Sequence, residues 1–340
     1  MKGKKALVEV MGVVSLALLL AVLPFVGGCA KTAQPEGTYR IGETMIIEHP
    51  DLLADLEGFR KAMSEEGFVE GENVEYVFLC PEGDMSTAKT IADKFVSEKV
   101  DLIHAIATPT AQACVQAAMD TDIPVVFSTC TDPVGAGLVS TWDAPRPENV
   151  AGVSDMADIK VQMEMIREIC PDFETLGVIY NAGEPNSVQQ MNELKGLLSD
   201  VGIEKLVEAN CSTTAEVVTA AKSLVGRCDV IWIPTDNTAV SGLPSIITVC
   251  EENKIPFFGS TGSMVEGGAI AGRGASYPWI GWQAGKYAAM ILEGESPSDI
   301  PVVKCSGEAQ VLVVNPGAAE RMGISIPEKV IDKAVQVVES

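Results

Sequence analysis

Two stretches of this chain follow one plan. The first, DLIHAIATPTAQACVQAAMDTDIPVVFST, starts at Asp101; the second, DVIWIPTDNTAVSGLPSIITVCEENKIPFFGST, starts at Asp229. Each runs from an Asp through an apolar run, a Thr-containing turn and a helix-like segment to Ile-Pro, a second apolar run and Ser-Thr. A short apolar run bounded by turn residues reads as a strand buried on both faces. Strands joined by a helical crossover pair in parallel, with the helices covering the sheet. Two such units in one chain point to two similar α/β domains side by side.

The surrounding sequence extends both units. Strand-like runs lie at 39–47, 73–79, 101–107 and 124–128, with helix-like segments at 52–66, 86–98 and 110–119. LLADLEGFRKAMSEEG repeats apolar residues at i, i+3 and i+4, and Gly67 supplies its C-terminal stop. A second series has strands near 175–180, 204–208, 229–233 and 256–258, again with helices between. STWDAPRPENVAG, residues 140–152, separates the series with Pro and polar residues. The pattern therefore predicts two doubly wound parallel sheets.

The N-terminus is of another kind. Lys2, Lys4 and Lys5 precede an uncharged apolar stretch, 11–25, that is short for a membrane span. Gly27 and Gly28 then lead into Cys29. This is a secretory signal over 1–28, and FVGGC resembles a bacterial lipobox, which makes Cys29 the expected lipidated first residue. Residues 29–38 read as a tether. The formal charge of −23 argues against a nucleic-acid partner, because phosphate binding needs clustered Lys and Arg. The other cysteines form no CxxC pair, and His49 and His104 are the only histidines, so no zinc site and no cofactor are expected. Buried thiols are the expected state of these cysteines. An enzyme is not expected either: G-x-S-x-G, H-E-x-x-H and the P-loop are absent, and GRGASY lacks the last Gly of a dinucleotide fingerprint.

In open parallel sheets, ligands bind beyond the carboxyl ends of the strands. The polar tips of the two matched units, Thr108-Pro109-Thr110 and Thr235-Asp236-Asn237, are such ends, as are Thr129-Cys130-Thr131-Asp132 and Ser260-Thr261-Gly262. Helices expected just after 108 and 132 would offer free N–H groups to an anion. Asp236 offers the opposite charge, and Glu184 stands in position to share it. A free amino acid carries both complements. Candidate contacts are therefore His49, Thr108, Thr110, Ala111, Thr131, Asp132, Asn181, Glu184, Asn186, Asp236, Asn237 and Tyr277, with Asp236 on the α-ammonium and the Thr turns on the α-carboxylate. Each also has a bland reading: Thr108, Thr110, Asp132, Asn186 and Asp236 occupy helix-cap positions. His104, inside a strand, reads as core.

ATPTAQA, TDPVGAGLV, IYNAGEPNS, PTDNTAVS, ILEGESP and VVNPGAAERMGISIP occur in this order. Together they resemble the bacterial ABC-transporter substrate-binding lipoproteins of the tryptophan/tyrosine type, over nearly the whole mature chain. The resemblance implies a two-lobed periplasmic-binding-protein fold, type I-like, with a hinge and an interlobe ligand cleft. Lobe 1 is expected at 39–150 plus 275–306, and lobe 2 at 151–274 plus 307–340. It implies a monomeric importer component on the outer face of a membrane. Its ligand would be a small zwitterion, an aromatic amino acid, handed to an ABC permease. A sugar or nucleoside ligand, or service to a sensory receptor, would use the same fold.

Overall fold

The computed structural model describes residues 37–146, 148–306 and 310–339; the expected signal segment and Cys29 lie outside the described residues. The first lobe is built on β1 (Tyr39–Met45), β2 (Val74–Leu79), β3 (Leu102–Ile106), β4 (Val125–Ser128), β5 (Val150–Ser154) and β11 (Val303–Lys304). Their order is β11-β5-β4-β3-β1-β2, and every pairing is parallel. Its crossovers are α1 (Pro50–Glu65), α2 (Met85–Glu98) and α3 (Thr108–Ala118). The second lobe carries β6 (Thr175–Tyr180), β7 (Lys205–Asn210), β8 (Val230–Trp232) and β9 (Phe257–Phe258) in a parallel sheet ordered β7-β6-β8-β9. Its helices are α4 (Ile159–Ile169), α5 (Pro185–Leu197), α6 (Thr214–Leu224), α7 (Asn237–Ser241), α8 (Leu243–Asn253) and α9 (Gly262–Glu266). A sheet of β10 (Ala271–Ala275), β12 (Gln310–Val314) and β13 (Gln336–Val337) is tied to β9 by Ile270 N–H on Phe257 O at 2.8 Å and Gly259 N–H on Ala271 O at 3.0 Å. Helix α10 (Tyr277–Leu292) returns to pack on α1, and α11 (Pro316–Arg321) and α12 (Glu328–Ile331) complete the described chain.

Local chemistry explains most of these boundaries. Asp84, Asp158 and Asn315 cap α2, α4 and α11 by accepting from the N–H three residues on. Helix α1 ends at Glu66 before Gly67, whose φ of +91° only Gly adopts freely. The fully buried run Val230–Trp232 is a strand because both faces of its sheet are covered. The matched units correspond to β3-α3-β4 and β8-α7-α8-β9. The second unit is longer because its crossover breaks at Gly242, where the Val217 side chain leaves no room for a Cβ.

Two expectations shift. The first sheet takes in Val150–Ser154, beyond the expected boundary at 150, because these residues are buried and paired with β4 and β11. The chain thus leaves that sheet at Asp155, returns at Ser276 between β10 and α10, and leaves again between Lys304 and Gln310. The helix expected after 132 is a turn, in which the Asp132 carboxylate accepts from Gly135 N–H at 2.9 Å. The glycines near 270 permit close approach: a Cβ on Gly274 would collide with the Ser260 carbonyl.

Candidate functional site

The strands of both sheets end facing one narrow cavity. From the first lobe it is lined by His49, Asp51, Leu52, Thr108, Thr129 and Thr131; from the second by Asn186, Thr235, Asp236, Asn237, Val240 and Met264. Asp155 and Tyr277, on two of the chain crossings, complete the lining. The lobes touch here: His49 Nε2 lies 3.3 Å from Asn237 Oδ1, and Thr261 Oγ1 donates to Asp51 Oδ2 at 3.0 Å. Ala107 and Thr129 hold φ values of +77° and +55°. Left-handed backbone at a non-glycine residue is unfavourable, and here it occurs where two strands turn into the cavity wall.

The electrostatics are one-sided. Asp51, Asp155 and Asp236 are all buried and line the cavity, and among the described residues no Lys or Arg joins them. Burial pushes the Asp51 and Asp155 carboxyls up to about 6, against the hydroxyls that hydrogen-bond to them. Asp236 is pushed up to about 7, by burial first and then by Glu184. His49 goes the other way, lowered by burial to about 4, so its ring is neutral near pH 7. Asp155 receives Thr131 Oγ1 at 3.0 Å on one oxygen and the Tyr277 hydroxyl at 3.2 Å on the other. Each of its oxygens keeps a further lone-pair direction. Leu52, Val240 and Met264 supply the apolar part of the wall.

Of the residues singled out from sequence, His49, Thr108, Thr131, Asn186, Asp236, Asn237 and Tyr277 meet at this cavity. Thr110 does not: its hydroxyl turns back onto the Ile106 and Ala107 carbonyls of its own helix start. Ala111 packs in the lobe 1 core. Asp132 does not line the cavity but an adjoining pocket that shares Thr108 and Asn186 with it. Asn181 and Glu184 line an open groove next to the cavity. Asn181 N–H donates to Asp236 Oδ2 at 2.6 Å, and its amide bonds to Thr238 Oγ1 at 2.9 Å. Glu184 accepts from Asn237 N and Nδ2 and from Thr238 N and Oγ1. Asp236 accepts from Ala239 N at 2.7 Å and from Ser187 Oγ at 2.6 Å, besides Asn181 N. Both acids therefore cap α7, whose unpaired N–H groups reach them first. This corrects the expectation that the pair stands open for an ammonium.

Sequence reasoning missed Asp51 and Asp155; Thr129 and Thr235 lie in strand-end turns expected at the ligand site but are not among the candidate contacts. Asp51 lay in a helix start, before the first periodic apolar residue. Asp155 follows a strand whose first half falls within the expected linker 140–152; because Val150–Ser154 is a strand, Asp155 is a strand-end residue like Asp236. His104 is core: its ring stacks on Phe59 at 3.7 Å and its Nε2 meets Ser128 Oγ at 2.9 Å. Burial raises the Cys114, Cys211 and Cys250 thiols to about 12, so they act as small apolar groups. Among the described residues, no group of His, Cys, Asp and Glu is arranged to hold a metal ion.

Two α/β lobes with parallel sheets and a polar cavity at the facing strand ends define a type I periplasmic binding protein. Comparison makes the family specific. The model of the ABC transporter substrate binding protein family matches residues 40–338, and the chain belongs to that family. It is 38% identical to the tyrosine-binding protein of Clostridioides difficile (strain R20291), over 92% of this chain and 90% of that protein. An ABC domain from Streptococcus pneumonia in complex with L-Trp superposes with a TM-score of 0.83 at 32% identity, covering 89% of this chain and all of that one. A substrate-binding protein with adhesive properties from Clostridium difficile, in its ligand-free, open form, gives 0.66 at 38% identity, covering 89% and 100%.

Proposed function

We propose that this protein captures a free aromatic amino acid between its lobes and delivers it to an ABC permease. The observation that carries this reading is the acidic cavity. Three buried carboxylates with no lining cation are costly to hold, and an α-ammonium offsets that cost. Asp155 and Asp51, rather than Asp236, are the ammonium partners in this reading, because Asp236 already accepts from Ala239 N of α7 on one oxygen and from Asn181 N and Ser187 Oγ on the other. Thr108 and the first turn of α3, with its free N–H groups, face the α-carboxylate. Leu52, Val240 and Met264 border the side chain.

The comparisons support the ligand class: one relative is named for tyrosine, and one structural neighbour holds L-Trp. The conformation agrees. The chain superposes better on the L-Trp complex than on the open form, although its sequence is closer to the latter. Sequence identity runs the opposite way, which supports a closed arrangement of the lobes. The three chain crossings then act as a hinge, and closure excludes water from the polar contacts. Cys29 carries the lipid that holds a monomeric domain outside the cell membrane, within reach of its permease.

A thermal-shift screen of the twenty amino acids, with sugars and nucleosides as controls, tests the reading. A ligand that binds only the folded state raises the melting temperature. Stabilisation by aromatic amino acids is expected; stabilisation by sugars or nucleosides alone would overturn it. Mass spectrometry of the native N-terminus tests the anchor, and an unmodified Cys29 would remove it.

A further inference from the structure

Two acceptor atoms in the cavity wall have no hydrogen-bond partner among the described residues: His49 Nδ1 and Asn186 Oδ1. Both residues are more than nine-tenths buried, and both line the cavity. Leaving a buried polar atom unpaired is unfavourable, so native structures rarely keep one without a reason.

The identity of each atom as an acceptor follows from its neighbours. Asn186 Nδ2 donates to Thr235 O at 2.7 Å, which leaves its Oδ1 as the unpaired end. For His49 the deciding neighbour is Asn237. Asn237 Nδ2 donates to Glu184 Oε2 at 2.6 Å, and Asn237 N–H reaches the same oxygen at 3.1 Å. A carboxylate accepts only, so the NH₂ end of that amide is fixed and its Oδ1 faces His49 Nε2 at 3.3 Å. An oxygen there requires the proton on Nε2. Burial keeps the ring neutral, with one proton to place. His49 Nδ1 therefore carries a lone pair with no partner among the described residues, on a side chain that lines the cavity.

Its location gives that lone pair a role. Asp155 and Tyr277 lie on chain crossings, at the hinge side of the cavity. His49 and Asn237 meet from opposite lobes, and Asn237 also lines the adjoining open groove with Ile47, Met85 and Thr213. A ligand with its ammonium on Asp155 thus directs its side chain toward His49. We propose that His49, locked as the Nε2–H tautomer by Asn237 and Glu184, is a specificity-determining acceptor. It selects amino acids whose side chain presents a hydrogen-bond donor, a phenol hydroxyl or an indole N–H, over phenylalanine. This inference rests on the reading of the cavity as an amino-acid site.

The test is calorimetric titration of wild type, His49→Leu and His49→Gln with L-tyrosine, L-tryptophan and L-phenylalanine, with the fold of each variant checked by its melting temperature. A buried acceptor left unpaired costs about 5- to 150-fold in affinity. Wild type should prefer tyrosine or tryptophan over phenylalanine within that range. His49→Leu should reduce the preference to less than about threefold, chiefly by losing the donor-bearing ligand, while His49→Gln, which keeps an acceptor, should restore part of it. Equal loss for all three ligands, or equal wild-type affinity for phenylalanine, overturns the proposal and leaves the amino-acid reading standing. Failure of every amino acid to bind overturns both. A proton–nitrogen correlation spectrum of the imidazoles adds a readout without ligand, since His104 is the only other histidine. Protonation at Nδ1 of His49 overturns the tautomer on which selection depends.

Discussion

Replacing Asp155 by Asn should weaken ligand binding without weakening the fold. The side chain is buried, and its carboxylate meets Thr131 Oγ1, the Tyr277 hydroxyl and its own backbone N–H. Asn has the same shape and keeps one acceptor; its NH₂ end can donate to whichever hydroxyl rotates to receive it. The rise of the carboxyl from 3.8 to about 6 corresponds to about 3 kcal/mol of cost for holding the charge above that pH. Neutralising the residue removes this cost, so at pH 8 the unliganded variant should melt no lower than wild type, and up to several degrees higher. Binding moves oppositely. Losing one partner of a buried charge pair costs about 2–5 kcal/mol, roughly 30- to 5,000-fold in affinity. Asp51 shares the ammonium, which puts the expectation at the lower end. Calorimetric titration of wild type, Asp155→Asn and Asp236→Asn with the amino acid found by screening decides the matter. Asp236→Asn still caps α7 and should lose at least an order of magnitude less. A change below about threefold for Asp155→Asn, or a larger loss for Asp236→Asn, refutes the assignment of the ammonium.

Asp51, Asp155 and Asp236 have folded-state pKa values raised to about 6, 6 and 7, so their contribution to stability is fully present below about 4 and lost as pH rises through 6–7. His49, lowered to about 4, opposes this between about 6.5 and 4, as one group against these three and Asp55, which burial also raises to about 6; the unliganded protein should therefore melt higher at pH 5 than at pH 8, and an unchanged or reversed order in a thermal scan would refute it. Closure buries these acids against one another, so small-angle scattering should find the unliganded protein more compact at pH 5 than at pH 8, and compact at both when ligand is bound. Gly281→Ala should destabilise by about 1–3 kcal/mol, because its new methyl group would overlap the Asp55 carbonyl where α10 crosses α1; an unchanged melting temperature would show that the two helices can part without cost.

Much of this protein is legible in its sequence, for reasons of periodicity. The apolar runs that become β3, β4, β6 and β8 are short and bounded by turns, and a parallel sheet covered on both faces accepts little else. The parallel arrangement also places the binding residues, because helices must start where strands end. That is why Thr108, Asp236, Asn237 and His49 could be named from position alone. Roles were harder. Asp236, Glu184 and Thr110 are polar residues at strand ends, and the sequence alone does not say whether such a group faces solvent, a ligand or its own helix. The tertiary structure decided this through distance: the free N–H groups of α7 lie 2.7–3.1 Å from the two acids, so they take oxygens that an ammonium would otherwise use. Asp155 and Tyr277 are 122 residues apart, and Asp51 and Thr261 are 210 apart. No local pattern links such pairs; only the return of the chain through the crossings brings them together. The tautomer of His49 depends on a relay from Glu184 through Asn237, across 188 residues of chain at its last step. Short-range propensity and burial periodicity determine the elements and their ends. The direction each polar side chain takes at those ends is set by which donors and acceptors the fold brings within 3 Å, and that is a property of the packed molecule.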